Sequence, residues 1–250
     1  MSNYNTRIIA KLEIKSDNVV KPVHFEGLRR VGDPQILANK YYSQGADELI
    51  YIDIVSSLYG REISYNQLKE TSRDIFIPLI AGGGVSSLDD CKNLFEAGAD
   101  KISINTFALQ QNPKIINDTA KIFGSQAVVV NIESRYCDGA WECFSDNGRI
   151  PSGKNVLDWA KEVEDRGSGE ILLQSIDMDG RKKGFDLDLI NEVINNVQIP
   201  VIVASGAGSI KHIIDLIKDC KPSGIALSSL LHYNYLDISE IKENIYNEFR

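Results

Sequence analysis

The 250-residue chain contains few of the side chains that build metal and disulfide sites. Its four cysteines form no Cys-x-x-Cys pair, and His24, His212 and His232 are scattered along the sequence. A zinc site needs several such ligands at short spacings, so no metal site is expected. The cysteines are interpreted as reduced structural thiols and the histidines as surface or capping residues. No P-loop and no nucleophile elbow is present, and no cofactor is expected.

Positive charge and long apolar runs are also scarce. The formal net charge of -8 argues against a general nucleic-acid-binding protein, which needs a basic surface. Backbone dipoles can nevertheless bind small phosphorylated ligands on an acidic protein. The first residues contain no apolar signal region, and no apolar run approaches the length that spans a membrane. These absences predict a cytoplasmic protein without nucleic-acid or membrane partners.

Short apolar runs rich in Val and Ile alternate with amphipathic segments. The runs have the near-continuous hydrophobicity of strands that are covered on both faces. Eight strands alternating with helices predict an α/β fold, a (β/α)8 TIM barrel in a single domain spanning residues 1–250. The alternative is an open doubly wound sheet, which usually carries its phosphate-binding glycines after the first strand. The predicted strands are 7–14, 48–54, 77–82, 101–105, 127–133, 170–176, 199–205 and 224–229.

The sequence also shows a faint internal doubling. Glu13 and Glu133 stand at the ends of the first and fifth predicted strands. The glycine-rich stretches 81–84 and 204–208 follow the third and seventh strands at a similar separation. Two similar half-barrels, each with one acid and one glycine loop, explain this pattern.

The polar residues at the strand ends indicate an active site. Active sites of such barrels lie at the carboxyl ends of the strands. The two glycine loops lead toward helices, where exposed N–H groups can hold phosphate, and two such loops suit a ligand with phosphate at both ends. The alternative is that these glycines only form tight turns. The loop at 134–149 has Asp138-Gly139 at its centre, which predicts a small hairpin over the mouth and a possible lid.

The two glutamates are the candidate acid–base pair. A buried carboxylate costs several kcal/mol unless it is paired or used. Paired carboxylates in different surroundings can divide general-acid and general-base work. The alternative for Glu13 is a salt bridge with Lys11, Lys15 or Lys21, since strand alternation sends Lys11, Glu13 and Lys15 to one side.

At this point several motifs resemble the cyclase subunit of imidazole glycerol phosphate synthase. They include ADELIYIDI, AGGGV, GADKISINT, LLQSIDMDG and ASGAG, and the resemblance runs from about residue 7 to 233. It implies a doubled (β/α)8 barrel that forms a heterodimer with a separate glutaminase subunit docked on the barrel floor. Ammonia from that subunit would pass through the barrel and join a substrate that carries two phosphates.

The resemblance also implies roles for individual residues. Glu13 and Glu133 occupy the catalytic positions, Lys21 matches the lysine of the first loop, and Asp100 matches an acid at the glutaminase interface. The remaining matches are the ammonia gate, Arg7, Glu48, Lys101 and Glu170; one phosphate site, Gly83, Gly84, Asn105 and Thr106; and the second phosphate site, Asp179, Gly180, Gly206 and Ser229. Without the resemblance, the four charged residues at the strand starts would be interpreted as stabilising ion pairs.

The departures from the family pattern cluster at the mouth. The family has two aspartates where this chain has Glu13 and Glu133, and a carboxylate displaced by roughly an ångström costs on the order of a hundredfold in rate. Lys11 replaces a cysteine, and Gln174 replaces a threonine. These changes favour retained ammonia delivery with a changed acceptor, in the direction of acetamidino-sugar and surface-polysaccharide biosynthesis. The alternatives are a genuine cyclase subunit of histidine biosynthesis and a non-catalytic barrel that binds a phosphorylated ligand.

Overall fold

Parallel strands close into a barrel in the computed structural model, which describes residues 6–59 and 64–250. Residues 1–5 and 60–63, which the single-domain prediction also covers, lie outside the described residues. The strands are β1 (Arg7–Lys15), β2 (Asn18–Val23), β3 (Glu26–Gly32), β4 (Glu48–Asp53), β5 (Leu79–Gly82), β6 (Lys101–Ile104), β7 (Val128–Cys137), β8 (Ala140–Ser145), β9 (Ile150–Asn155), β10 (Glu170–Ser175), β11 (Val201–Ala204) and β12 (Gly224–Leu227).

Eight of these strands form the barrel wall, and each corresponds to one predicted strand. Neighbours pair in parallel in the order β1, β4, β5, β6, β7, β10, β11 and β12, and β12 pairs with β1 to close the circle. The (β/α)8 barrel predicted from the alternating apolar runs is therefore confirmed. We call the end where these strands finish the mouth and the opposite end the floor.

Helices surround the barrel, and several begin at the Asp or Ser residues that the sequence marks as caps. Asp33 accepts a hydrogen bond from the N–H of Ile36, and Ser87 forms a reciprocal capping box with Asp90. The helices are α1 (Pro34–Ser43), α2 (Ser56–Tyr59), α3 (Tyr65–Ser72), α4 (Leu88–Glu96), α5 (Thr106–Gln110), α6 (Lys114–Phe123), α7 (Val156–Asp165), α8 (Leu187–Ile194), α9 (Ile210–Cys220), α10 (Ser229–His232) and α11 (Ile238–Glu248).

Both faces of the barrel strands are buried, which explains why their sequences do not alternate. Residues on the outer face of each strand pack with the helices in the main hydrophobic core. Residues on the inner face form a second cluster inside the barrel, which includes Ile9, Ile50, Ile80, Val129, Leu172 and Ile202. This apolar layer separates the floor from the polar side chains of the mouth.

Two antiparallel extensions lie on the mouth side. Strands β2 and β3 form a hairpin that continues the first barrel strand. The hairpin predicted in the loop after the fifth barrel strand is confirmed by β7 and β8, and its turn residues Asp138 and Gly139 have φ values of 49° and 92°. Such a turn has positive φ at both central residues, as hairpins prefer.

The described helices, histidines and cysteines bear on further predictions from the sequence. None of the described helices combines the length and the apolar character that crossing a membrane requires. The prediction that all three histidines are surface or capping residues is wrong for His232, which is buried and shares a 2.7 Å hydrogen bond between its Nδ1 and the hydroxyl of Tyr41. Burial lowers the pKa of His232 to about 4. The four cysteines are free thiols.

Candidate active site

Four charged side chains at the strand starts form a closed ring on the floor. Arg7 pairs with both Glu48 and Glu170, and Lys101 Nζ lies 2.8 Å from an oxygen of each of the same two glutamates. Each cation therefore bridges both acids. Burial raises the pKa of Glu48, while the ammonium of Lys101 and the guanidinium of Arg7 oppose that shift. The ring brings together all four residues for which the family resemblance predicts an ammonia gate.

Asp100 also lies at the floor, where it forms hydrogen bonds with Leu79. Its backbone pairs with that of Leu79, and its carboxylate accepts a 2.9 Å hydrogen bond from the Leu79 N–H. Asp47 does the same for Ile8 in the neighbouring part of the barrel. The exposed Asp100 thus holds the start of β5 and remains available at the surface for the predicted partner contact.

A cavity of about 310 Å³ opens at the mouth beside β4, β5, β6 and β7. Gly83, Gly84, Asn105 and Thr106, the four residues predicted for the first phosphate site, line this cavity together with Glu133. In the described part of the chain, the N–H groups of Gly84 and Val85 have no protein acceptor. Such N–H groups are suitable donors for phosphate oxygens.

The glycines of this loop are also needed for packing. Gly83 has φ of +109°, and a Cβ there would meet the carbonyl oxygen of Asp53 at 2.2 Å. Gly206 in the other half-barrel has φ of +106°, and its Cβ would meet the carbonyl oxygen of Gly184 at 2.0 Å. The turn geometry therefore requires glycine at both positions, and this requirement does not distinguish the tight-turn explanation from phosphate binding.

The carboxyl group of Glu133 lines the larger cavity and is held by uncharged donors. Its Oε2 accepts a 2.7 Å hydrogen bond from the N–H of Gly148, and its Oε1 lies 3.4 Å from Asn131 Nδ2. Burial raises the pKa of Glu133 to about 7, against the opposing effects of the Gly148 N–H and the ammonium of Lys11. This carboxyl group can therefore gain or lose a proton near neutral pH.

Glu13 has the opposite environment. Its Oε1 lies 3.0 Å from Lys11 Nζ, and its Oε2 lies 2.9 Å from Lys21 Nζ. Burial alone would raise the pKa of Glu13, but the two ammonium groups outweigh it and hold the pKa at about 2. The salt bridge considered as an alternative for Glu13 is thus present with two of the three lysines, Lys11 and Lys21.

The two carboxylates are connected by three buried side chains that we call the interior bridge, Lys11, Gln174 and Asn131. Lys11 Nζ donates to Gln174 Oε1, and Gln174 Nε2 donates to Asn131 Oδ1 at 2.7 Å. The bridge crosses the barrel just above the apolar layer. With Lys21 and Asp179 it completes a hydrogen-bond chain, in the order Asp179, Lys21, Glu13, Lys11, Gln174, Asn131, Glu133.

A second and much smaller cavity, of about 30 Å³, lies beside β10, β11 and β12. Its walls include all the residues predicted for the second phosphate site and the first-loop lysine, Lys21, Asp179, Gly180, Gly206 and Ser229. The carboxylate of Asp179 accepts from Lys21 Nζ at 2.9 Å and from the N–H of Phe25 at 3.3 Å. Asp179 therefore anchors the first hairpin, and its negative charge is balanced by Lys21.

Sequence reasoning missed two contributors to the mouth. Gly148, in the turn between β8 and β9, reaches Glu133, and nothing in the sequence indicates that this turn folds inward. The other is Asn131, two residues before Glu133, which strand alternation would place on the same face as Glu133. That alternation was the available signal for the interior bridge. Gln174 was named as a departure from the family pattern, but its hydrogen bonds were not predicted.

Comparisons with known proteins identify relatives along most of the chain. A family model described as histidine biosynthesis protein matches residues 7–237. The protein named imidazole glycerol phosphate synthase subunit HisF from Legionella pneumophila is 51% identical over 208 residues, which are 83% of this chain and 98% of that relative. Two proteins of the same name from Clostridium botulinum, of strains 657 / Type Ba4 and Okra / Type B1, are 41% and 42% identical over 244 residues, which are 97% of this chain and 96% of each relative.

Proposed function

The chain belongs to the histidine biosynthesis protein family, with HisF cyclase subunits as relatives, and from that premise we propose that it is an ammonia-using synthase subunit of the imidazole glycerol phosphate synthase type. The family resemblance that the motifs suggested is thereby confirmed. The names of the relatives support the histidine-pathway alternative better than the changed acceptor that the mouth substitutions favoured. We therefore rank the cyclase reaction of histidine biosynthesis first.

The single observation that carries this proposal is the composition of the larger cavity. A carboxyl group able to exchange protons near neutral pH, Glu133, lines the same space as the predicted phosphate loop Gly83–Gly84 and as Asn105 and Thr106. Proton exchange and phosphate anchoring are the two functions that addition of ammonia to a phosphorylated acceptor requires. Because this cavity opens at the mouth, it also meets the end of any path through the barrel interior.

A glutaminase partner on the floor is part of the proposal. The names of the relatives describe a subunit, and a ring of four charged residues, Arg7, Glu48, Lys101 and Glu170, lies at the floor of the barrel. Directly above the ion-pair ring lies the apolar cluster of the barrel interior, and such a stretch suits a neutral molecule such as ammonia better than an ion, because an ion would have to give up its hydration there.

One structural feature favours a second candidate, a synthase with a different acceptor. Lys21, Glu13 and Lys11 form a buried ion cluster between the two cavities, and only about 30 Å³ remains on the second phosphate side. A ligand with phosphate at both ends could span the mouth only if Lys21 moved. An acceptor anchored in the larger cavity alone would need no such movement.

The deciding experiment is turnover of phosphoribulosylformimino aminoimidazole carboxamide ribonucleotide by the purified chain with excess ammonium salt. Free ammonia replaces the glutaminase, so the assay tests the mouth alone. Sustained turnover supports the histidine-pathway reaction. No turnover by a folded protein that binds the substrate excludes it, and nucleotide sugars are then the acceptors to test. Binding without turnover of every acceptor would instead support a non-catalytic, ligand-binding barrel.

A further inference from the structure

The two mouth carboxylates differ in their access to a ligand. Glu133 lines the larger cavity, whereas Glu13 lines neither cavity and is 1% exposed. Both oxygens of Glu13 are already bound by ammonium groups, from Lys11 at 3.0 Å and Lys21 at 2.9 Å. A carboxylate with no free oxygen and no free surface is poorly placed to take a proton from a ligand.

Glu133 can be reached by a ligand from the larger cavity, and it forms no ion pair in the described part of the chain. Its hydrogen-bond partners are the backbone N–H of Gly148 and the side-chain amides of Asn131 and Asn105. The charged groups that act on it from neighbouring elements are Lys11, which favours the ionised form, and Asp146, which opposes it. For Glu13 the corresponding groups are Lys11 and Lys21, while the facing His232 is buried.

Gln174 is the second acceptor of the Lys11 ammonium group, beside Glu13. Lys11 lies inside the barrel, and its ammonium bonds with Glu13 and with the amide oxygen of Gln174. The amide nitrogen of Gln174 is in turn committed to Asn131, which lies between it and Glu133. The amide groups thus occupy the space between the lysine and Glu133 and hold the positive charge on the Glu13 side.

We propose that Lys11 and Gln174 are positioning residues that hold Glu13 as a permanent anion and leave Glu133 as the group that carries protons during the reaction. This inference rests on the proposed function, since it assigns the proton transfer of ammonia addition. When the nitrogen of ammonia bonds to the acceptor carbon, an electron pair moves to an acceptor atom and the nitrogen must release a proton. Glu133 takes that proton and delivers it to the acceptor atom, so its own protonation state is restored. Glu13 keeps Lys11 and Lys21 in place.

A titration of the carboxyl groups tests the assignment without any substrate. Carboxyl ¹³C signals of glutamate-labelled protein would be followed by NMR from about pH 2.5 to pH 9, with assignments from Glu13→Gln and Glu133→Gln. We expect Glu133 to titrate near neutral pH and Glu13 to stay ionised. In Lys11→Met the midpoint of Glu13 should rise by about 1–3 pH units, since an opposite charge within hydrogen-bonding distance is lost. Lys92→Met, at an exposed lysine of α4, should move neither signal.

A Glu13 signal that titrates near neutral pH, or one that does not respond to Lys11→Met, overturns the proposal. If Lys11→Met does not fold, Gln174→Met provides the second test. It removes the amide that holds the lysine on the Glu13 side, and the Glu133 midpoint should then fall as the ammonium approaches it. An unchanged Glu133 midpoint in folded Gln174→Met contradicts the assignment.

The pH profile of ammonium-supported turnover gives the functional test. Glu133→Gln should lose about 10²–10⁴-fold in rate, the usual contribution of a general acid–base group. In Lys11→Met the limb of the kcat/KM profile should move to higher pH, whereas a merely structural role would lower the rate equally at every pH. Absence of turnover in the unmodified chain would count against the proposed function alone, since the NMR titration decides the carboxyl assignment independently.

Discussion

Lys11 and Gln174 are hydrogen-bonded to each other inside the barrel, although they are 163 residues apart in the chain. Both positions depart from the pattern of the family that the motifs resemble, which has cysteine and threonine there. Their contact means that the two departures form one structural unit. A lysine alone at position 11 would lack its second acceptor, and a buried ammonium with incomplete hydrogen bonding is costly.

Reverting these two residues should therefore be strongly non-additive. Gln174→Thr alone leaves the ammonium of Lys11 with Glu13 as its contact, and we expect unfolding free energy to fall by about 1–3 kcal/mol. Lys11→Cys and the double variant complete a thermodynamic cycle in urea. Residues in contact usually give coupling energies of about 0.5–3 kcal/mol. Additive effects within about 0.5 kcal/mol would show that the two residues do not act as a pair.

Substitution of Glu133 should change how stability depends on pH. The pKa of Glu133 is raised from 4.5 to about 7 in the folded state. Between these values the folded protein keeps a proton that the unfolded chain releases, so this contribution to stability is present below pH 4.5 and disappears as the pH rises through 7. Relative to Glu133→Gln, the unmodified protein should lose roughly 3 kcal/mol across that interval, at 1.36 kcal/mol for each pKa unit. Urea unfolding of both proteins from pH 4.5 to pH 8 measures the difference, and parallel curves would contradict the raised pKa.

Glu13→Gln should destabilise the protein far more than an exposed substitution of the same kind. It removes the anion that lies between two buried ammonium groups, and breaking such a pair from one side typically costs about 3–5 kcal/mol. The matched control is Glu96→Gln in α4, where both partners of the ion pair are 65% exposed and the expected cost is at most about 0.5 kcal/mol. Thermal unfolding at neutral pH compares the two. Equal effects would mean that the buried cluster contributes nothing to stability.

Much of the barrel could be predicted from the sequence because its strands are buried on both faces. That burial produces the near-continuous Val and Ile runs, and helix caps such as Asp33 and Ser87 are local signals. Strand ends were less accurate: β7 extends to Cys137, since the hairpin predicted beyond it continues the same strand. The β2–β3 hairpin was not predicted as strands, because β3 is largely exposed and the short buried stretch of β2 is interrupted by Lys21 and Pro22.

The candidate site was likewise only partly predictable from the sequence. Strand-end position alone brings Glu133, Gly84 and Asn105 to one cavity, so these placements follow from the alternation of strands and helices. The partners of Glu13 do not follow, because three nearby lysines were possible and the choice depends on the hairpin that delivers Lys21. His232 was misjudged for a similar reason, since its burial depends on a contact with Tyr41 in a distant helix.

The floor ring gives a prediction that separates ammonia delivery from chemistry at the mouth. Lys101→Met removes one of the two cations that bridge Glu48 and Glu170, but it changes no residue that lines either mouth cavity. Turnover supported by free ammonium should therefore remain within a few-fold of the unmodified chain, while turnover supported by glutamine in the complex with the glutaminase should fall further. The ratio of the two rates is the measured quantity, with Lys92→Met as the control. An equal loss in both assays would mean that the ring acts through barrel stability and not through the passage of ammonia, because a distorted barrel would impair the mouth whatever the source of nitrogen.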